Sequence, residues 1–449
     1  MTSVLAVPNT NTSVVQGPIG SGHGFAIGLT CPVQAADTPY SGGAGPGADI
    51  NGAYIGAGVS DMKIRPMTAV INQYTHASNT GRYRFFVGPR LDGGTSNYGN
   101  RALLSKCGTF GQDPSDRPLG VLLPVCIDNG EYHPSTPLQG FAGPSALILG
   151  GSECQAKAHV ITLNSVNGNQ AITGIGFEPD FLLFLGCCAF NINDGRDGTN
   201  FMVGAAGYAD DGSGGKGALT QWVGCTRSEF FSGAGNKQTR WHQDACIAHI
   251  GQVEFAGATT ADQLANIVSM DADGYTINLT QSGLDTAGVA SNVVVLAVKV
   301  LSGSGIRVGN GVQGDTVLSP ALGWQPEALL FASSQNTMLA TDQATAYFNL
   351  GAMDALNERS CWEGSDDGVP DSYGYVSTVS SIRMATTSGG VRGEANATLT
   401  GTGASLNWTT DDGAGRYFGW VAFQVDSIRH PLPGCSTFIP QIYRLVMRT

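Results

Sequence analysis

The chain has 449 residues, a net charge of −12, and 13% charged against 42% hydrophobic residues. The hydrophobic share excludes a disordered chain, and the lack of clustered Lys and Arg excludes a phosphate-gripping nucleic-acid surface. No apolar run reaches the roughly 18 residues that a membrane-spanning helix needs.

So few charges leave a surface of Ser, Thr, Asn, Gln and Gly. Such a surface gives up its water at low cost and favours large permanent interfaces. A homo-oligomer, a symmetric ring or trimer, is the expected state.

Residues 1–156 are rich in glycine and proline, as at Gly17-Pro18, Gly45-Pro46-Gly47 and Gly93-Gly94. Strand-like pieces at 83–87 and 121–125 predict an irregular β domain with long loops. The first nine residues carry neither a basic stretch nor a long apolar core, so no secretory signal is expected. The ten cysteines form no Cys-x-x-Cys pair and predict reduced thiols, several of them buried.

Beyond residue 156 the chain says one phrase twice. Residues 175–185 read Ile-Gly-Phe-Glu-Pro-Asp-Phe-Leu-Leu-Phe-Leu, and residues 322–332 read Leu-Gly-Trp-Gln-Pro-Glu-Ala-Leu-Leu-Phe-Ala. Pro179 matches Pro326 at an offset of 147. Asn278-Leu279-Thr280 matches Asn407-Trp408-Thr409 at 129, and the strand-like run at Val295 matches that at Trp420 at 125. Shrinking offsets are the mark of loop deletions between conserved strands. The repeats are placed at 157–301 and 302–427, each opening and closing on an apolar strand that pairs with or neighbours the other.

Within the repeats, four groups carry residue types capable of chemistry. His242, Cys246 and His249 have soft-ligand identities, but the second copy holds Ser380-Ser381-Ile382-Arg383-Met384 there, and no fourth ligand is evident. Asp271-Ala272-Asp273-Gly274 resembles the start of a calcium loop. The second copy keeps the glycine and loses both acids, so a hairpin turn is the better reading. Asp210-Asp211, Asp366-Asp367 and Asp411-Asp412 each precede glycine and read as turns; facing carboxylates for glycoside hydrolysis would lie across a cleft instead. Trp408 and Trp420 match apolar residues of the first copy and read as core, whereas Trp222, Trp241 and Trp362 are left available for a sugar-stacking platform. One short helix is predicted over 260–266, with Thr260 as its N-cap. Residues 428–449 hold Arg429, Arg444 and Arg448 with no acid, together with Pro431, Pro433 and Pro440, and predict an extended arm.

The phrase Gly176-Phe177…Pro179-Asp180, the stretch Ser269-Met270-Asp271-Ala272-Asp273-Gly274-Tyr275-Thr276 and the closing run at 293–300 together resemble a repeat of tailed-bacteriophage virion or tail-associated proteins. The resemblance spans about residues 157–427 and implies no catalytic, cofactor-binding or metal-binding residue. The expectation is an all-β chain of tandem, jelly-roll-like β-sandwich repeats behind the glycine-rich N-terminal domain. It would be a non-enzymatic structural protein at the tail tip, fibre, collar or capsid surface, made in the bacterial cytoplasm and binding other virion proteins. No cofactor, membrane span or nucleic acid is expected. The alternatives are an adhesin for host surface glycan and, after it, a glycan-degrading tail enzyme.

Overall fold

The computed structural model describes, within residues 1–150, the strands alone and only their backbone. From 154 to 424 it describes all but 187–193, 198, 229–236, 252–261, 283–290, 301–304, 357, 367–372, 378 and 387–389, with side chains for most of the rest. The cysteine pair at 187–188, the segment 121–125 and the C-terminal arm fall outside the described residues.

Every described element is a strand, and every pairing is antiparallel. The N-terminal third holds β1 (Thr2–Ala6), β2 (Val15–Gln16), β3 (Gly22–Pro32), β4 (Gly52–Met62), β5 (Arg82–Asp92), β6 (Arg101–Lys106), β7 (Cys126–Asp128), β8 (Glu131–His133) and β9 (Phe141–Gly150). Strands of 11 residues, such as β3, β4 and β5, are far longer than an irregular domain predicts, and residues 83–87 lie inside β5.

The first repeat follows with β10 (Cys154–Thr162), β11 (Gly168–Thr173), β12 (Phe181–Gly186), β13 (Asp194–Asp197), β14 (Thr199–Asp210), β15 (Lys216–Ser228), β16 (Lys237–His242), β17 (Ile247–His249), β18 (Gln263–Asp271), β19 (Gly274–Ser282) and β20 (Asn292–Val300). The second holds β21 (Gly305–Val312), β22 (Ala328–Ser333), β23 (Thr345–Asp354), β24 (Glu358–Asp366), β25 (Tyr373–Ser377), β26 (Ile382–Ala385), β27 (Val391–Thr400), β28 (Gly403–Asp411) and β29 (Tyr417–Gln424). The helix expected at 260–266 is replaced, from residue 263 on, by strand β18.

Both repeats build a large sheet in the same order. The first runs β10-β20-β12-β14-β15-β16; the second runs β21-β29-β22-β23-β24-β25, with β2 from the N-terminal third added at its end. Each also has a small sheet, β11-β19-β18-β17 in the first and β28-β27-β26 in the second. In the second repeat a single bridge, Val317 to Ser405, stands where β11 pairs in the first. In both repeats the strand after the phrase lies beside the last strand, Phe184 opposite Val295 and Phe331 opposite Trp420.

The apolar runs are continuous rather than alternating because both faces of each large sheet are covered. Along β12, Leu182 and Phe184 point into a core shared with the small sheet, with Tyr275 and Ile277. Phe181, Leu183 and Leu185 point the other way, onto Leu330, Val421 and Phe423 of the second repeat. On β22, Leu329 and Phe331 face that repeat's own small sheet, with Leu406 and Ile382. Four β layers therefore stack in the order small, large, large, small, and the central core belongs to both repeats. Each phenylalanine or leucine taken fully out of water here contributes roughly 1.5–3 kcal/mol.

Candidate functional site: the junction between the repeats

The repeated phrase builds the entry to the core. Phe177 and Trp324 each cap the outer core of their own repeat. After the proline, Asp180 N–H donates to Val298 O at 2.8 Å and Glu327 N–H to Phe423 O at 2.8 Å, so the acid starts the strand in the right register. The phrase glycine has two separate reasons. Gly176 sits at φ +90°, a region that L side chains rarely adopt. At Gly323 the constraint is space: a Cβ would lie 2.3 Å from Gly214 N, on a turn of the other repeat.

That turn joins β14 to β15 and is gripped from both sides. Asp210 Oδ1 accepts from the N–H groups of Gly212 (2.8 Å) and Gly214 (3.0 Å), while Asp211 Oδ1 accepts from those of Ser213 (2.8 Å) and Gly215 (2.9 Å). The buried Arg307 of β21 donates to Gly214 O at 2.7 Å and to Gly215 O at 3.1 Å, with its Nε 3.5 Å from Asp210 Oδ2. Burial pulls the Arg307 pKa down and the neighbouring carboxylates oppose it. On the same repeat, Lys216 pairs with Asp180 at 2.5 Å, and Asp180 Oδ2 accepts Val300 N–H at 2.9 Å.

At the far end, the chain after β22 wraps the edge strand β16. Thr239 and Gln343 exchange both backbone hydrogen bonds at 3.0 Å, and Ala340 N–H donates to Trp241 O at 2.8 Å. Asn336 Nδ2 donates to Thr239 O at 3.0 Å, and Ser334 Oγ to Arg240 O at 3.1 Å. Arg240 reaches Asp262 of its own repeat and Asp342 of the other, both at 2.7 Å. Burial opposes its charge, but these carboxylates raise its pKa above the ordinary arginine value.

Between the two clasps lie the tryptophans. Trp222 and Trp241 stack at 5.5 Å between centroids and 15° between planes, and neither is exposed. Trp222 packs against Gly419, where a Cβ would come within 2.3 Å of the indole, and its Nε1–H points at Trp420 O at 3.4 Å. Trp362 is also buried. The three rings left available for a sugar-stacking platform do not form one: they fill the interior, and none presents a face to a sugar.

Apart from Asp366-Asp367, whose side chains lie outside the described residues, the other candidate groups are likewise committed to the fold. His242 ends β16, whereas Cys246 and His249 lie at and in β17, on the small sheet. His249 Nδ1 meets Gln263 Oε1 at 2.8 Å, and burial lowers its pKa to about 4. Burial also lowers His242 and raises the Cys246 thiol, leaving neutral side chains at pH 7. Among the described residues, no group of three or more His, Cys, Asp and Glu is placed to hold a metal ion. The Asp271…Gly274 segment is the β18–β19 hairpin turn, with Asp271 paired to Gly274. Asp271 accepts the hydroxyls of Ser269 and Thr276, both at 2.7 Å. Asp411 and Asp412 accept N–H groups of Gly413 (2.8 Å) and Ala414 (3.2 Å) in their own turn.

What residue-by-residue reading missed is the junction itself. Its one signal was the doubled apolar character of β12, β20, β22 and β29, which requires a cover on each face. Comparisons with family models, with curated proteins and with solved structures find no match.

Proposed function

We propose that this chain is a non-enzymatic structural protein of a tailed-phage virion, at the tail tip, fibre, collar or capsid surface, acting by self-assembly and contact with other virion proteins. In this reading the two repeats are jelly-roll-like sandwiches fused back to back into one stiff block. The observation that carries it is the continuous core of both repeats, with Trp222 and Trp241 stacked and buried in it and polar clasps across the junction. A block of this kind transmits load without a hinge between its halves. The low charge density of its sequence suits faces that are buried between subunits.

In this reading the resemblance of the phrase to tailed-phage repeats suggests the biological setting, and the block suggests the mechanism. The test is mass spectrometry of purified virions from a host producing the chain, with cryo-electron microscopy of the same particles. The reading expects the chain in particles in a fixed, symmetric copy number. Its absence from particles would overturn the reading. Glycan binding now lacks the aromatic platform that motivated it.

A further inference from the structure

One sheet edge of the first repeat is regular and open, and its counterpart in the second is not. β11 is the last strand of the first repeat's small sheet. Asp271 opposes Gly274 across the turn of β18 and β19, so successive residues of β19 bond alternately to β18 and to β11. Tyr275, Ile277 and Leu279 are the ones that bond to β11, where Ile172, Gln170 and Gly168 oppose them. Their counterparts in the second repeat show the same parity: Ala404 O accepts Leu318 N–H at 3.1 Å, and Leu406 N–H donates to Thr316 O at 2.8 Å. Asn169, Ala171 and Thr173 therefore turn their backbone N–H and C=O groups to the outer edge. All three residues are exposed, and no described strand pairs with them on that side.

Open edges invite other strands, and proteins guard them with brevity, proline, lysine, a bulge or a cover. Here Gln343 covers β16, and β2 covers β25. In the second repeat the place of β11 is held by the single bridge of Val317 to Ser405, with Pro320 close behind it. β11 has no such guard. It pairs with β19 without a register shift, and its sequence Gly-Asn-Gln-Ala-Ile-Thr holds no proline and no charge. This edge is also complementary to itself. Two copies of β11 laid antiparallel about a two-fold axis at Ala171 set Ala171 against Ala171 and Asn169 against the other copy's Thr173. Every outward N–H then meets an outward C=O, and small uncharged side chains face each other with no like charges opposed. The two-fold closes the pair, so neither edge is left open.

We propose that β11 is a docking edge for a second copy of this chain, the two joined by antiparallel β11–β11 pairing about Ala171 into one continuous small sheet. The pairing rests on the self-assembly reading above and supplies a surface for it.

Cysteine cross-linking of the full chain tests the register. Ala171→Cys is expected to form a covalent dimer under mild oxidation, seen by mass spectrometry as a peptide linked to itself through position 171, because facing Cα atoms lie about 5.5 Å apart. Asn169→Cys alone should not link to itself, its two Cα atoms being roughly 13 Å apart, but should link to Thr173→Cys when the two variants are mixed. Ala171→Pro removes an N–H that the fold of one copy does not use. It is expected to weaken association about tenfold or more in sedimentation, with an unchanged far-ultraviolet spectrum. Absence of the 171–171 peptide, or an oligomer that Ala171→Pro leaves intact, would overturn the proposal and leave self-assembly standing. A parent chain that is monomeric at every concentration would overturn both.

Discussion

Asp273 Oδ1 accepts the N–H of Gly176 at 2.6 Å, and its Oδ2 accepts that of Gly174 at 2.9 Å. The tip of one hairpin thereby holds the first turn of the repeated phrase. These two N–H donors keep the Asp273 carboxyl below its usual pKa. A depressed folded-state pKa gives stability that is present above the unfolded value, near 3.9, and lost as pH falls through the folded one. Asp273→Asn is expected to lower the thermal midpoint at pH 7 and to narrow its gap from the parent chain below about pH 3. Melting curves across that range check it.

Gly351 and Gly204 occupy the same place in the two repeats, each under the strand start of its small sheet. A Cβ on Gly351 would lie 1.7 Å from Ser381 O, and one on Gly204 1.9 Å from Cys246 O. Backbone must move in either case. Gly351→Ala is expected to destabilise by about 3 kcal/mol, whereas Gly401→Ala, with nothing within 4 Å of its Cβ, should change stability by less than about 0.5 kcal/mol. Denaturant titration of both variants separates the effects.

Arg307 and Asp210 are buried together at the junction. Removing the cation alone leaves Asp210 uncompensated, so Arg307→Ala is expected to cost about 3–5 kcal/mol. The double variant Arg307→Met with Asp210→Asn should lose clearly less than the sum of its singles. A double-mutant cycle by chemical unfolding reads the difference.

Burial raises Glu358 from the ordinary carboxylate range to about 7. The sign is opposite to that of Asp273: the protonated form is favoured in the fold, so stability is full below the unfolded pKa, near 4.3, and falls as pH rises through about 7. Glu358 is partly open to water, so screening reduces the effect. Glu358→Gln is expected to gain on the order of 1 kcal/mol at pH 8 relative to its effect at pH 4. Unfolding titrations at the two pH values check it.

Much of the fold was legible because the repeat acts as its own control. Apolar runs at β12, β20, β22 and β29 mark the central strands, and the offset between copies aligns them from sequence. Strand β18 was misread for a physical reason. Its inward positions are Gln263, Ala265 and Ile267, and a buried glutamine held by Ser291 hides the two-residue period. The burial of Trp222 and Trp241 was not legible because neither has an aromatic counterpart in the second copy, where Arg359 stands in register with Trp222. Pairing partners between the two large sheets are set by three-dimensional packing, and no local period records them.

Self-assembly of this block is the proposed function, and sedimentation velocity of the purified full chain over a wide concentration range reads it out. A single closed oligomer that persists on dilution is the expected result; a stable monomer at every concentration would refute self-assembly.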